Sequence, residues 1–109
     1  MHGARRHLTM SGPTVDELHG ALVELATFLE ERSLPYADKV RCSADEVGRS
    51  DAHGARRLLG LNRALADVYF SPANGNAADE AEAEQLQRRF AALHSRAHSL
   101  ADALLRAGT

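Results

Sequence analysis

The spacing of hydrophobic positions near the beginning of the chain predicts an amphipathic helix over residues 14–33. Leucine and valine recur three and four residues apart, which places them on one narrow face: Val15, Leu18, Leu22, Leu25 and Leu29. Thr14 and Glu17 have the spacing of a capping box, in which a hydroxyl and a carboxylate satisfy free backbone amides. Pro35 disfavours a helical conformation at the residue before it, so the helix is expected to end near Ser33.

Two shorter helices are predicted in the middle of the chain. The first covers residues 35–47 and is expected to end at Gly48. Its apolar face holds Tyr36, Val40, Ala44 and Val47. Ser50 or Asp51 is suited to cap the second, in which apolar residues follow helical intervals over residues 52–68.

Glycine and turn residues interrupt the helical pattern at two places. Gly54 and Gly60 each destabilise a helix interior by about 1 kcal/mol relative to alanine, and a break is expected near Gly60. Residues 68–70 are β-prone, and Pro72 with the Asn-Gly-Asn sequence at 74–76 indicates a turn. An extended piece followed by a turn is therefore predicted, without a sheet, because no second strand is available to pair with it.

The longest helix is predicted over residues 77–107, which corresponds to about 45 Å at the α-helical rise. Its apolar positions again follow spacings of three and four: Leu86, Phe90, Leu93, Ala97, Leu100 and Leu104. Two long amphipathic helices are expected to pack lengthwise. The sequence therefore predicts an all-α fold, an antiparallel four-helix bundle with a short extended segment and turn before a long C-terminal helix. Residues 1–13 show no periodicity and are interpreted as a disordered leader, which leaves residues 14–109 as a single helical domain.

The composition indicates a small protein with a thin core. Of the 109 residues 44% are hydrophobic, but 20 residues are alanine, which buries little area per side chain. The 13 basic and 15 acidic residues nearly cancel, so the charge gives no reason to expect nucleic acid or an anionic membrane as a partner. The single Cys42 excludes an intramolecular disulfide, no apolar run is long enough to cross a membrane, and the first ten residues lack the apolar core of a signal peptide. A cytoplasmic protein is therefore expected.

The second half of the chain resembles a family of small uncharacterised bacterial all-helical proteins. The resemblance lies within residues 58–105 and rests on the segments ADVYFSP at 66–72 and NGN at 74–76, followed by the long helix. In that family a Gly-rich segment bearing Asn and Asp precedes a short apolar run, a turn and a long closing helix. The chain keeps Gly60, Leu65 and Asp67 of the family pattern and lacks its other glycines. The resemblance implies the helical fold and brings no activity with it.

Four residues around the predicted turn are candidates for binding a partner: Asp67, Tyr69, Phe70 and Asn74. Asp67 precedes an apolar run and is expected to be buried, where its charge needs a cap or salt bridge within the chain, or a ligand. Tyr69 and Phe70 lie on opposite sides of an extended segment, so one ring is expected to face the core and the other the solvent. An exposed aromatic beside a turn is suited to anchor an interface, and the alternative is that both rings lie in the core.

His94, His98 and Asp102 lie four residues apart along one face of the last helix. Imidazoles at positions i and i+4 can reach one metal ion, so this stripe is a candidate half-site for zinc. His19 would be a further ligand if antiparallel packing brings the first and last helices together. The alternative is a solvated or interfacial face, because no His-Glu-x-x-His motif or cysteine pair accompanies the stripe.

No sequence motif indicates catalysis. Cys42 has an acidic neighbourhood that opposes thiolate formation, so a partly buried and unreactive thiol is expected. The sequence contains no phosphate-binding loop, dinucleotide fingerprint or Gly-x-Ser-x-Gly elbow. An enzyme that uses Asp67 as a general acid or base is the third hypothesis. DNA binding through Arg56, Arg57 and Arg63 is not expected, because arginine is spread over the whole chain and the net charge is negative.

The leading hypothesis is a small cytoplasmic protein-interaction module without catalytic activity and without a cofactor. The apolar seams are narrower than a self-sufficient core of this size needs, so a partner protein or a second copy in a homodimer is expected to cover them. An immunity-type or accessory protein fits this profile by analogy of architecture. The alternative is a helical bundle that binds a metal or a small ligand through His94, His98 and Asp102.

Overall fold

The computed structural model describes residues 14–108 and contains five α-helices in that range. They are α1 (Val15–Glu31), α2 (Ala37–Gly48), α3 (Ala52–Gly60), α4 (Asn62–Ala66) and α5 (Glu80–Gly108), with a short 3-10 helix at Pro72–Asn74. Helix makes up 79% of this part of the chain, which holds no strand. The predicted all-α fold with a long C-terminal helix is confirmed, and the predicted leader at 1–13 lies outside the described residues.

Helix α1 forms the centre of the core. Thr14 caps it as predicted: its hydroxyl accepts a hydrogen bond from the Glu17 amide at 3.0 Å, and the Glu17 carboxylate accepts one from the Thr14 amide at 2.9 Å. All five predicted seam positions are buried, and Ala21, Ala26 and Phe28 are buried beside them. The prediction of a narrow seam was wrong for this helix, because alanine and phenylalanine widen the buried face on both sides.

Helix α2 packs along α1 after a tight turn. Ser33 and Tyr36 adopt left-handed backbone conformations in that turn, with φ of 51° and 71°. A bidentate ion pair joins the two helices, because the Arg41 guanidinium donates to both Glu30 carboxylate oxygens, at 2.9 and 2.6 Å. Arg41 also donates to the Thr27 hydroxyl at 3.2 Å. Helix α2 begins later than predicted because the tight turn precedes it.

Helix α3 approaches α2 closely at Gly54. A Cβ atom at Gly54 would lie 2.6 Å from the Ser43 carbonyl oxygen, so no larger residue fits without a shift of the helices. Across the same contact, Arg57 donates to both oxygens of Glu46 at 2.8 and 3.1 Å. Asp51 caps α3 as predicted, and its carboxylate accepts a backbone hydrogen bond at 2.9 Å.

The helical pattern breaks at Gly60, as predicted, and α4 follows as a single short helix. Residues 68–71 are not helical, and Gln87 of α5 joins them to that helix. The Gln87 side-chain carbonyl accepts a hydrogen bond from the Phe70 amide at 2.9 Å, and its amide donates to the Val68 carbonyl at 3.2 Å. These two bonds satisfy backbone groups that a neighbouring strand would otherwise satisfy.

Helix α5 packs against both α1 and α3. Arg96 donates to the Glu24 carboxylate of α1 at 3.2 Å. The three phenylalanines of the chain meet in one cluster, with ring centroids 5.9 to 6.1 Å apart: Phe28, Phe70 and Phe90. The molecule measures 54 × 22 × 20 Å because α5 is much longer than the helices on which it packs. The antiparallel four-helix bundle stays a prediction.

Candidate functional site

Two neighbouring residues of the linker between α4 and α5 have opposite environments. Phe70 is 2% exposed and belongs to the phenylalanine cluster, whereas Tyr69 is 63% exposed. One ring therefore faces the core and the other the solvent, as the pattern predicts. Phe70 cannot contact a partner from this position, so the partner contact stays a prediction for the exposed residues of the linker.

Side-chain amides hold the backbone of Tyr69 in place. The Tyr69 carbonyl oxygen accepts hydrogen bonds from the Asn74 amide at 3.1 Å and from the Asn76 amide at 2.9 Å. The Asn76 side-chain oxygen in turn accepts a hydrogen bond from the Ser71 amide at 2.9 Å. Gln87 fixes the residues on either side of Tyr69 to α5. The exposed ring therefore stands on a braced linker, which lowers the entropic cost of any contact that it makes.

A shallow pocket of about 320 Å³ lies beside Tyr69, at the beginning of α5. The carboxylates of Glu80 and Glu84 line it together with the tyrosine ring. Glu84 pairs with Arg88 at 3.0 Å, but both side chains are exposed, and such pairs contribute little. We call Tyr69, Asn74, Glu80 and Glu84 the Tyr69 surface. It offers an exposed aromatic ring next to negative charge.

Asp67 is exposed, whereas the sequence predicts that it is buried. It follows α4 as an exposed residue, and its carboxylate makes no hydrogen bond or ion pair within residues 14–108. The expected burial is wrong because the chain turns at this point and only Val68 and Phe70 face inward. The pocket beside Tyr69 does not include Asp67, so that pocket gives no support to acid–base catalysis by the two residues together.

A second candidate site is the groove between α4 and α5, with a volume of about 300 Å³. Asn62 of α4 lines one side, and Phe90, His94, Ser95 and His98 line the side formed by α5. The His94 ring stacks on Phe90 with centroids 5.9 Å apart and lies edge-on to His98 at 6.2 Å. No lysine, arginine or carboxylate lines this groove.

The environment of His94 changes its ionisation. Burial, together with the nearby His98, lowers the pKa of the His94 imidazole from its ordinary value of 6.5. Its Nε2 atom is buried and has no hydrogen-bond partner in the described part of the chain. A neutral imidazole with an unused ring nitrogen is the form that binds a metal ion or accepts a hydrogen bond.

The other residues of the predicted metal half-site lie outside this groove. Asp102 pairs with Arg106 at 3.0 Å. His19 packs beside α2, where a Cβ atom at Gly48 would lie 3.1 Å from its Nε2 atom. Within residues 14–108 no three histidine, cysteine or carboxylate side chains are placed to hold one metal ion. Metal binding therefore stays a prediction, and His94 and His98 are the two predicted ligands that the structure places in one groove.

Three amide residues have positions that sequence analysis missed. Gln87 and Asn76 brace the linker, and Asn62 faces the histidines across the groove. The sequence shows Gln87 beside the apolar seam of α5, but the partners of its side chain lie 17 and 19 residues away in sequence.

Cys42 is exposed, contrary to the expected partial burial, because it lies on the outer face of α2. Arg57 is paired with Glu46 and is therefore not part of a free basic patch.

Compared with models of protein families, with curated proteins and with solved structures, the chain matches none. The resemblance of residues 58–105 to a bacterial helical family therefore stays an expectation. Among the described residues, no helix has the length and the apolar character that crossing a membrane requires.

Proposed function

We propose that this protein is a small cytoplasmic interaction module that binds a partner protein through the Tyr69 surface, without catalysing a reaction. The observation that supports this most directly is the 63% exposure of Tyr69 on a linker that six side-chain hydrogen bonds to the backbone of residues 68–71 and 74 hold in place. A large aromatic ring exposed at a rigid position contributes binding energy without the ordering cost of a flexible loop.

The chemistry of the surface supports a partner with a basic side chain next to an apolar one. Glu80 and Glu84 line the same pocket as Tyr69, so a guanidinium or ammonium group there would lie near two acidic residues and an aromatic one. Because Phe70 faces the core and Tyr69 faces the solvent, a partner can contact the Tyr69 ring without displacing a core side chain.

The finer features of this proposal are an immunity-type or accessory role and an antiparallel bundle architecture. The contacts of α1 with α2 and α5, and of α3 with α2 and α5, support such an arrangement of the four longer helices. Self-association in a homodimer is a corollary of this proposal. Sedimentation at micromolar concentration tests it. A strictly monomeric chain would contradict the dimer and leave the binding of a partner protein as the proposal.

Site-specific photocrosslinking in cells tests the partner contact. Tyr69 is replaced by p-benzoylphenylalanine, and the matched control carries the same replacement at Tyr36, the other exposed large aromatic of the described chain. We expect a discrete adduct with one protein from the position of Tyr69 and none from that of Tyr36. Tyr69→Ser should abolish capture of that protein by the folded chain, whereas Tyr36→Ser should not. Equal adducts at both positions, or none at position 69, would contradict the proposal.

A further inference from the structure

The groove between α4 and α5 carries a different inference, independent of partner binding at Tyr69. We infer that His94 and His98, with Asn62 across the groove, bind a divalent transition-metal ion of the zinc class. This donor set differs in one member from the one that the sequence predicts, because Asn62 lines the groove and Asp102, which pairs with Arg106, does not.

The two imidazoles are arranged as a helical chelate. His94 and His98 lie four residues apart on α5, and their ring centroids are 6.2 Å apart. Side chains at i and i+4 of a helix lie on the same face, one turn apart, so both rings can approach one ion with little movement of the backbone. The stacking of His94 on Phe90 at 5.9 Å restricts the ring and favours this orientation.

The Nε2 atom of His94 lacks the partner that a buried polar atom needs. It is shielded from solvent and accepts or donates no hydrogen bond within residues 14–108. A buried polar atom without a partner destabilises the folded chain, and a bound ion is one of the ways in which native proteins satisfy such an atom. A metal ion at this nitrogen would supply the missing interaction.

The chemistry of the lining selects the class of ion. Imidazole nitrogen suits Zn²⁺, Cu²⁺ and Ni²⁺, whereas Mg²⁺ and Ca²⁺ need several oxygen ligands and usually carboxylates. No carboxylate lines this groove, and the lining side chains that carry oxygen are those of Asn62, Gln87 and Ser95. The lining therefore discriminates against the hard cations.

The small number of donors in the groove leaves an open coordination sphere. Its volume of about 300 Å³ is much larger than an ion needs. Two imidazoles and one amide leave at least one position of a tetrahedral ion for water or for an exchangeable ligand. The groove therefore fits an exchangeable metal site better than a closed structural one.

Calorimetric titration of the full chain with Zn²⁺ tests this inference. We expect one ion per chain, a reduction in affinity of about tenfold or more in both His94→Ala and His98→Ala, and a smaller reduction in Asn62→Ala. His53→Ala is the matched control, because His53 is exposed on α3 and should leave the affinity unchanged. Mg²⁺ should give no binding heat in any variant.

Imidazole nitrogen resonances provide a second readout that does not depend on the fold of a variant. In the unmodified chain, Zn²⁺ should shift the ring nitrogens of His94 and His98 and leave those of His19 and His53 in place. The inference is overturned if Zn²⁺ shifts neither ring, or if His53→Ala weakens binding as much as His94→Ala does. Loss of the Tyr69 crosslink would leave this result untouched, so the two proposals fail separately.

Discussion

Two helices that follow each other in sequence, α3 and α4, meet the rest of the molecule in different ways. Helix α3 lies so close to α2 that a Cβ atom at Gly54 would stand 2.6 Å from a backbone oxygen, and an Arg57–Glu46 ion pair spans the same contact. Helix α4 instead faces α5 across a groove of about 300 Å³ that both polar and apolar residues line. The two helices are separated by one residue, Leu61.

The two contacts differ in how closely their helices pack, and this difference bears on how each responds to substitution. In the contact of α3 with α2 the helices approach so closely at Gly54 that a Cβ atom does not fit, and Arg57 pairs with Glu46 across the contact, as expected of one that holds the fold together. The groove at α4 holds the buried His94 Nε2 atom, which has no hydrogen-bond partner in the described part of the chain. The buried Ser43 hydroxyl of α2 also lacks one, so the open volume of the groove is what distinguishes it. Substitutions in the α2–α3 contact and in the groove between α4 and α5 should therefore have opposite effects on the free energy of unfolding.

Gly54→Ala is the substitution with the largest expected effect. The added methyl group would collide with the Ser43 carbonyl and with Val47, so α3 must move away from α2. We expect the free energy of unfolding to fall by about 3 kcal/mol, the upper part of the usual range for overpacking. Urea denaturation of the two proteins measures it. A change below about 0.5 kcal/mol would mean that the two helices are not closely packed, since that is the size of a neutral surface change.

His94→Leu should have the opposite sign. Leucine keeps an apolar side chain against Phe90 and removes the buried nitrogen that has no partner, so unfolding should become less favourable by about 1 kcal/mol in the presence of a chelator. Thermal unfolding measures the change, with His53→Leu as the exposed control, which should stay within about 0.5 kcal/mol of the parent. A loss of stability in His94→Leu would show that Nε2 has a partner in the native state.

Gly60→Ala sharpens the comparison within α3 itself. A Cβ atom at Gly60 would meet nothing within 4 Å, and its backbone is not left-handed, in contrast to the crowded position of Gly54. The same substitution should therefore stabilise the protein, by about 0.5 to 1 kcal/mol, through the lower conformational entropy of the unfolded chain. Urea denaturation of the parent, Gly60→Ala and Gly54→Ala proteins under the same conditions measures the change. If both variants lose stability, the helix break and not the packing decides the effect.

The smallest effect is expected from the pH dependence of the ion pairs. Hydrogen bonds from Arg41 and Arg57 lower the pKa values of Glu30 and Glu46 from the ordinary value of 4.5. A carboxyl group with a lower pKa in the folded state contributes stability above pH 4.5 and loses it as the pH falls through the folded value. The double variant Glu30→Gln/Glu46→Gln should show a flatter fall in the unfolding free energy below pH 4.5. An unchanged slope would mean that neither pair is formed in solution.

Local signals predicted most of the helical pattern. The capping box at Thr14, the cap at Asp51 and the break at Gly60 all depend on residues within four positions of one another, and all three are found in the structure. The opposite environments of Tyr69 and Phe70 followed from the alternation of an extended segment. Asp67 was predicted to be buried and is exposed, because the position of the chain turn after α4 depends on how that helix meets α5.

The amino-acid sequence by itself determined where helices form and which side of each is apolar, because those properties depend on near neighbours in the chain. Only the tertiary structure decided what each side faces. Gly54 and Gly60 both belong to α3, yet a Cβ atom at Gly54 would lie against a backbone oxygen and one at Gly60 in open space. Likewise His94 and Asn62 line one groove because α4 and α5 both border it, and the meeting of two segments that are distant in sequence leaves no mark in the spacing of either one.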